Sequence, residues 1–243
     1  MKPWFFTILL SCIAGCLAPA VYRTAHMLPK DEWDLALGLT AQQVTTEAYT
    51  ADRGTVSFPR DSTRYVGILP EISWHYGVQD DIEVGGRLVA SASMAEVDAK
   101  YRLLGGPASQ LHVAVQPALG GRLRHGGKDS IWANMEGYHL TLPILTTYDI
   151  SPSVAATGSV FTLLTSYRDK NAGPPDMVGD MVYGGGSLSL RVQEGTTFYT
   201  IPFVEMQRSV WRRSRHNNEP AVTVVVAGLG FGWGAPSPPA VHE

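Results

Sequence analysis

From Glu32 to Trp233, apolar and polar residues alternate with a period of two, segment after segment. That period puts successive side chains on opposite faces of an extended strand, and no helical stripe shows it. Trp33, Leu35, Leu37, Leu39 and Ala41 alternate with Asp34, Ala36, Gly38, Thr40 and Gln42. The pattern recurs over Val66–Tyr76, Ile82–Ala90, Ala95–Leu103, Leu111–Leu119 and Tyr138–Ile144. It is less clean over Ser153–Thr165, Met181–Val192 and Thr197–Trp211, and Ala221–Trp233 is apolar on both faces. The reading is all-β, with about ten strands of about 10–13 residues; soluble strands average nearer 5–6, and a tilted strand crosses a bilayer in about 9–11.

The connections carry a second signal. The gaps Val44–Thr63, Gly120–Asn134, Tyr167–Asp180 and Arg212–Pro220 are long. Those at Gly77–Asp81, Gly105–Ser109, Asp149–Pro152 and Gln193–Thr196 are short. With the exception of a very short link near Ala92-Ser93, odd gaps are long and even gaps short. Bacterial transmembrane barrels have long external loops and short periplasmic turns. An even number of strands then leaves both termini in the periplasm.

Composition decides which face points inward. A soluble barrel turns its apolar face in, and a transmembrane barrel turns it out to lipid. The polar face here is made of small residues, among them Ala36, Gly38, Gly67, Ser73, Gly85, Ser91, Ala114, Ala118, Gly185, Ser187 and Ser189. The whole chain has five Lys. A narrow lumen needs small residues, whereas a solvated face is rich in Lys and Glu. Aromatics gather near strand ends, at Trp33, Tyr65, Trp74, Tyr76, Tyr101, Tyr148, Trp211 and Trp233, where interfacial girdles sit. The formal net charge of −3 offers no footprint for nucleic acid.

Charged residues punctuate two neighbouring strands. Glu83 and Arg87 on one, and Glu96, Asp98, Lys100 and Arg102 on the next, share the inward face. One hairpin register sets Glu83 against Arg102 and Arg87 against Asp98. Another, one step earlier, sets Glu83 against Lys100 and Arg87 against Glu96. Both pair opposite charges, as cross-strand neighbours prefer. Asp34, Glu71, Arg191 and Glu205 are placed to join this network. It reads as a structural ion network that fills a small barrel, or as a gate. Ten strands leave little bore, since eight are filled by side chains and porins need about sixteen.

A lipid-modifying barrel enzyme is the alternative from a second class, with His112 and His139 on adjacent strands, or His75 beside Glu71, as its bases. The chain has no G-x-S-x-G and no H-E-x-x-H. Ser214–Asn218 reads as a polar loop tip, Gly184–Gly186 as a flexible strand, and Asp80-Asp81 as turn chemistry. No catalytic residue, cofactor or metal site is expected. Both cysteines, Cys12 and Cys16, lie in the first 16 residues, which excludes a disulfide scaffold in the body. A third reading is a soluble lipocalin-like lipoprotein holding an apolar ligand. Asp31-Glu32-Trp33 lacks the Gly-x-Trp that lipocalins carry there.

The N-terminus reads as an address. Lys2 precedes the apolar run Trp4–Ala14, which has the form of a secretory signal. It ends in Ile13-Ala14-Gly15-Cys16, which resembles the bacterial lipobox. That resemblance implies diacylation of Cys16 and removal of residues 1–15. Leu17, where sorting rules would place Asp for inner-membrane retention, leans towards the outer membrane.

The stretch Leu69–Leu88, with Tyr76-Gly77, Asp80-Asp81 and Glu83-Val84-Gly85, resembles the strand–turn–strand of small bacterial outer-membrane β-barrel proteins. The general pattern of that class covers nearly all of the mature chain. The resemblance implies an antiparallel up-and-down transmembrane barrel in the bacterial outer membrane, with a structural or narrow-pore role. Its expected partners are outer-membrane lipid, small solutes and the barrel-assembly machinery. The expected organisation is a signal peptide at 1–15, a periplasmic linker at 16–31, a barrel at 32–233 and a Pro-rich tail at 234–243. The chain departs from the class in running past Phe231-Gly232-Trp233 instead of ending on an aromatic.

Overall fold

The structure is a computed structural model that describes residues 23–46, 62–89, 94–122, 135–169, 178–195, 197–213 and 222–234. Cys16 and the tail beyond Gly234 lie outside the described residues. The strands are β1 (Trp33–Thr46), β2 (Ser62–Gln79), β3 (Ile82–Val89), β4 (Met94–Leu104), β5 (Leu111–Val115), β6 (Ala118–Arg122), β7 (Met135–Ser151), β8 (Val154–Asp169), β9 (Val178–Glu194), β10 (Phe198–Arg213) and β11 (Val222–Gly234). Each is antiparallel to its neighbours, and β1 pairs with β11, for example Leu37 with Phe231, which closes the sheet into a barrel.

The eleven strands make ten staves, because β5 and β6 lie end to end and both pair with β4 and β7. The sequence pattern predicts one strand across Leu111–Leu119; the structure interrupts it at Gln116-Pro117. Pro117 has no N–H to give the ladder. The backbone bonds Gln116 N–H to Pro143 O (3.1 Å) and Ala99 N–H to Pro117 O (3.1 Å) carry the sheet across the gap. Most strands are longer than the pattern predicts: β2 has 18 residues and β7 and β9 have 17. The ladder continues past the roughly 9–11 residues that cross a bilayer, into regions with no apolar face to read.

The turns at Asp80-Asp81 and Pro152-Ser153 each link two strands at the rim that also holds Trp33 and Gly234. On the outside, Leu37, Ile72, Leu88, Leu119, Leu142, Ile144, Val160, Leu188 and Met206 are exposed. On the inside, Asp34, Glu71, Ser73, His75, Glu83, Glu96, Lys100, His112 and His139 are buried. Apolar outside and polar inside is the transmembrane arrangement. The alternative of a soluble barrel with its apolar face inward is therefore overturned by side-chain direction. Trp33, Trp74, Tyr76, Tyr101, Tyr148 and Trp233 are exposed near the terminal rim. Trp33 pairs with Tyr76, and Leu35 lies between Trp74 and Trp233. The side chains of Tyr65 and Trp211 lie outside the described residues.

The lumen is not polar all round. Phe161, Leu163, Tyr183, Ile201, Phe203, Val222, Val224 and Val226 pack inward from β8–β11. The inward face of those strands mixes these apolar side chains with polar ones such as Ser159, Ser187, Glu205 and Gln207, which blurs their period. Burying each large side chain is worth about 1.5–3 kcal/mol.

Candidate functional site

The polar half of the lumen is built on a repeated cross-strand device. In the β3–β4 hairpin Glu83 faces Lys100 and Arg87 faces Glu96, the earlier of the two registers that charge pairing allows. Lys100 Nζ lies 2.9 Å from Glu83 Oε2, and Arg87 Nη2 lies 2.7 Å from Glu96 Oε1. Asp98 does not face Arg87; it faces Gly85, and Gly85 faces His75 on β2. With no side chain between them, His75 Nε2 reaches Asp98 Oδ1 at 3.0 Å, and Gln116 donates to the same carboxylate at 2.8 Å. The same device recurs one stave on. Glu96 faces Gly120, which faces His139, and His139 Nε2 meets Glu96 Oε2 at 2.9 Å. A Cβ on Gly85 or Gly120 would occupy the space of the histidine ring.

Arg102 stands apart from the ladder. It donates to the carbonyls of Asp80 and Gly105 and ties two turns of the terminal rim together. Asp34 accepts from the Tyr199 hydroxyl at 2.7 Å. The Arg191 guanidinium lies 4.4 Å from the centroid of the Tyr199 ring. Glu71 and Glu205 are buried in the lumen, and Gln207 donates to Glu205.

The N-terminal segment enters this network. The stretch expected as linker includes residues 23–28, which lie inside the barrel. Arg23 Nη1 sits 2.8 Å from Asp34 Oδ2, its Nη2 donates to Ser73 Oγ at 3.0 Å, and it also meets His75 Nδ1. Ala25 N–H donates to Thr147 Oγ1 at 2.7 Å. Lys100 Nζ donates to the His26 carbonyl at 2.6 Å, and Leu28 N–H donates to Glu83 Oε2 at 3.2 Å. His26 Nε2 lies 2.8 Å from Asp149 Oδ1. Burial holds the His26 imidazole below its ordinary pKa, against the opposing pull of Asp149.

The chain then turns out of the lumen and into β1. Asp31 takes a positive φ of 65° there. Its N–H donates to the Gly77 carbonyl at 2.8 Å, and its carboxylate accepts from the Tyr76 hydroxyl at 2.8 Å. The Pro29 carbonyl packs where a Gly77 side chain would be. Tyr76-Gly77, familiar from the sequence as a turn signature, is thus the seat of the entering segment.

Two cavities flank Arg23, each of about 30 Å³. One is lined by His75, Arg87, Glu96 and Asp98, the other by His26, Glu83, Lys100 and Tyr199. Each has room for one or two waters. Among the described residues, none of His26, His75, His112 and His139 is hydrogen-bonded to a serine or threonine hydroxyl; each meets a carboxylate. A nucleophile–base pair of the hydrolase kind is not assembled on them. Ser214–Asn218 lies outside the described residues, and Gly185 faces Phe161, whose ring fills the space above it. Arg23, His26, Gln116 and Tyr199 were not distinguished by sequence, since none belongs to a motif.

No protein-family model matches the chain, and no curated protein matches its sequence. Solved structures resemble it at low sequence identity. Neisserial surface protein A is 10% identical over 83% of this chain and 96% of that one, with a TM-score of 0.41. The attachment invasion locus protein of Yersinia pestis is 11% identical over 84% and 99%, with a TM-score of 0.34. An outer membrane channel from Pseudomonas putida F1 is 11% identical over 90% and 100%, with a TM-score of 0.40.

Proposed function

We propose that this chain is a bacterial outer-membrane barrel whose lumen is closed by its own N-terminal segment, a structural or narrow-pore protein in its resting, plugged state. The observation that carries this reading is the seating of residues 23–28. Arg23, Ala25, His26 and Leu28 each bond to the barrel wall, and the cavities left beside them have room for one or two waters and for no larger solute. A segment held by this many polar contacts in a confined lumen is a plug that a local change can release, because each contact is individually modest.

The lipid anchor at Cys16 belongs to the same reading. Arg23 lies seven positions after Cys16, an extended reach of roughly 24 Å. A lipid on Cys16 would tether to the periplasmic leaflet the stretch that leads into the lumen at Arg23.

Planar-bilayer conductance tests the proposal. The wild-type barrel is expected to be closed or to flicker, and Arg23→Glu, which sets a carboxylate against Asp34, is expected to open it with a steady ion-selective current. A wild-type barrel that conducts freely, with Arg23→Glu unchanged, would overturn the plug.

A further inference from the structure

We infer that His26, His112 and Asp149 form a binding site for a divalent transition metal of the zinc type, which clamps the N-terminal segment to the barrel wall. The inference rests on the plug reading and deepens it. The three residues are far apart in sequence: His26 lies on the entering segment, His112 on β5 and Asp149 on β7. Yet each offers a ligand atom within 4.8 Å of the others. His26 Nε2 lies 2.8 Å from one Asp149 oxygen, and His112 Nε2 lies 3.2 Å from the other. The two imidazoles meet edge to face, their centroids 4.6 Å apart.

Three features make this a ligand set and not only a hydrogen-bonded cluster. First, two imidazoles and one carboxylate are donors of the kind that hold zinc with an open fourth position. Zinc bonds of about 2.0–2.1 Å put ligand atoms roughly 3.3 Å apart in a tetrahedron, so a small side-chain rotation completes the site. Second, His26 is 9% exposed, and its Nδ1 is buried without a hydrogen-bond partner. The ring is not fixed from behind, so it is free to turn the small angle that brings Nε2 onto a metal shared with Asp149 and His112. Third, the metal has a way in: Asp149 is 19% exposed and sits beside the Pro152-Ser153 turn, at the terminal rim.

The test uses the untagged, full-length barrel in detergent, stripped with EDTA and titrated with zinc chloride by calorimetry. One zinc per chain is expected. Loss of any one ligand, as His26→Ala, His112→Ala or Asp149→Asn, is expected to weaken binding by at least about a hundredfold, more than loss of a group that only supports a ligand. His112→Cys, which restores a zinc ligand, is expected to recover it. No zinc bound by the wild type, or binding that His26→Ala leaves unchanged, would overturn the inference. Conductance separates it from the plug reading. In Arg23→Glu barrels zinc is expected to restore closure, and EDTA to reverse it. If Arg23→Glu opens the pore but zinc binds nothing, the clamp fails and the plug stands. If the wild type conducts freely and zinc binds independently of His26, both fail.

Discussion

Lys100 Nζ lies 2.9 Å from Glu83 Oε2, with the two side chains 3% and 1% exposed, and the same ammonium donates to the His26 carbonyl. One cross-strand ion pair thus serves both the wall and the N-terminal segment. Removing Lys100 leaves a buried carboxylate without its partner, the costly half of a broken buried pair. Lys100→Met is therefore expected to destabilise the barrel by about 3 kcal/mol and to loosen the N-terminal segment. The double variant Lys100→Met with Glu83→Gln should recover much of the loss. Urea unfolding in detergent, together with proteolysis of residues 23–28, reads both effects.

Ala25 is fully buried against the wall. Replacing it with Trp leaves no room for the segment in a lumen already filled by Phe161, Phe203 and their neighbours. Ala25→Trp is expected to expel the plug and open the pore, while the strand ladder, which Ala25 does not join, stays folded. Bilayer current and unchanged heat-shifted gel mobility are the paired readouts. A closed Ala25→Trp channel would mean that another element closes the barrel.

Gly85 lies between His75 and Asp98 in register, and a side chain there meets the His75 ring. Gly85→Leu is expected to cost about 1–3 kcal/mol by overpacking and to break the His75–Asp98 contact. Gly120→Leu should do the same to His139 and Glu96. Unfolding midpoints in detergent check the cost. A neutral Gly85→Leu would mean the lumen has slack that the cross-strand geometry does not show.

Val97 and Leu119 face each other on β4 and β6, outward and 61% and 56% exposed. A charge near the middle of a lipid-facing band costs about 2–4 kcal/mol, and less near the interfaces. Val97→Arg should therefore destabilise the barrel in lipid vesicles by about that amount, whereas Trp33→Arg, at the rim, should cost less. Equal tolerance at both positions would argue against a bilayer around this belt.

The alternation of residues determined a great deal without any coordinates. Period two set the strands, the direction of most side chains and the all-β class, because a strand has two faces and lipid accepts one kind of side chain. Charge pairing narrowed the β3–β4 register to two choices, and the short turns fixed which rim holds the termini. Sequence did not decide between Lys100 and Arg102 as the partner of Glu83, because both registers satisfy the same charges. The break at Gln116-Pro117 lies inside an unbroken alternation and shows only in the ladder. The seating of residues 23–28 in the lumen and the His26, His112 and Asp149 cluster were decided by tertiary structure alone. Their contacts join residues up to 123 positions apart, as between His26 and Asp149. Arg23–Leu28 carries no period of its own, since a segment inside a barrel takes its conformation from the wall that surrounds it. Closure of the sheet brings those distant groups together, and local pattern holds no information about where a closed ring will meet itself.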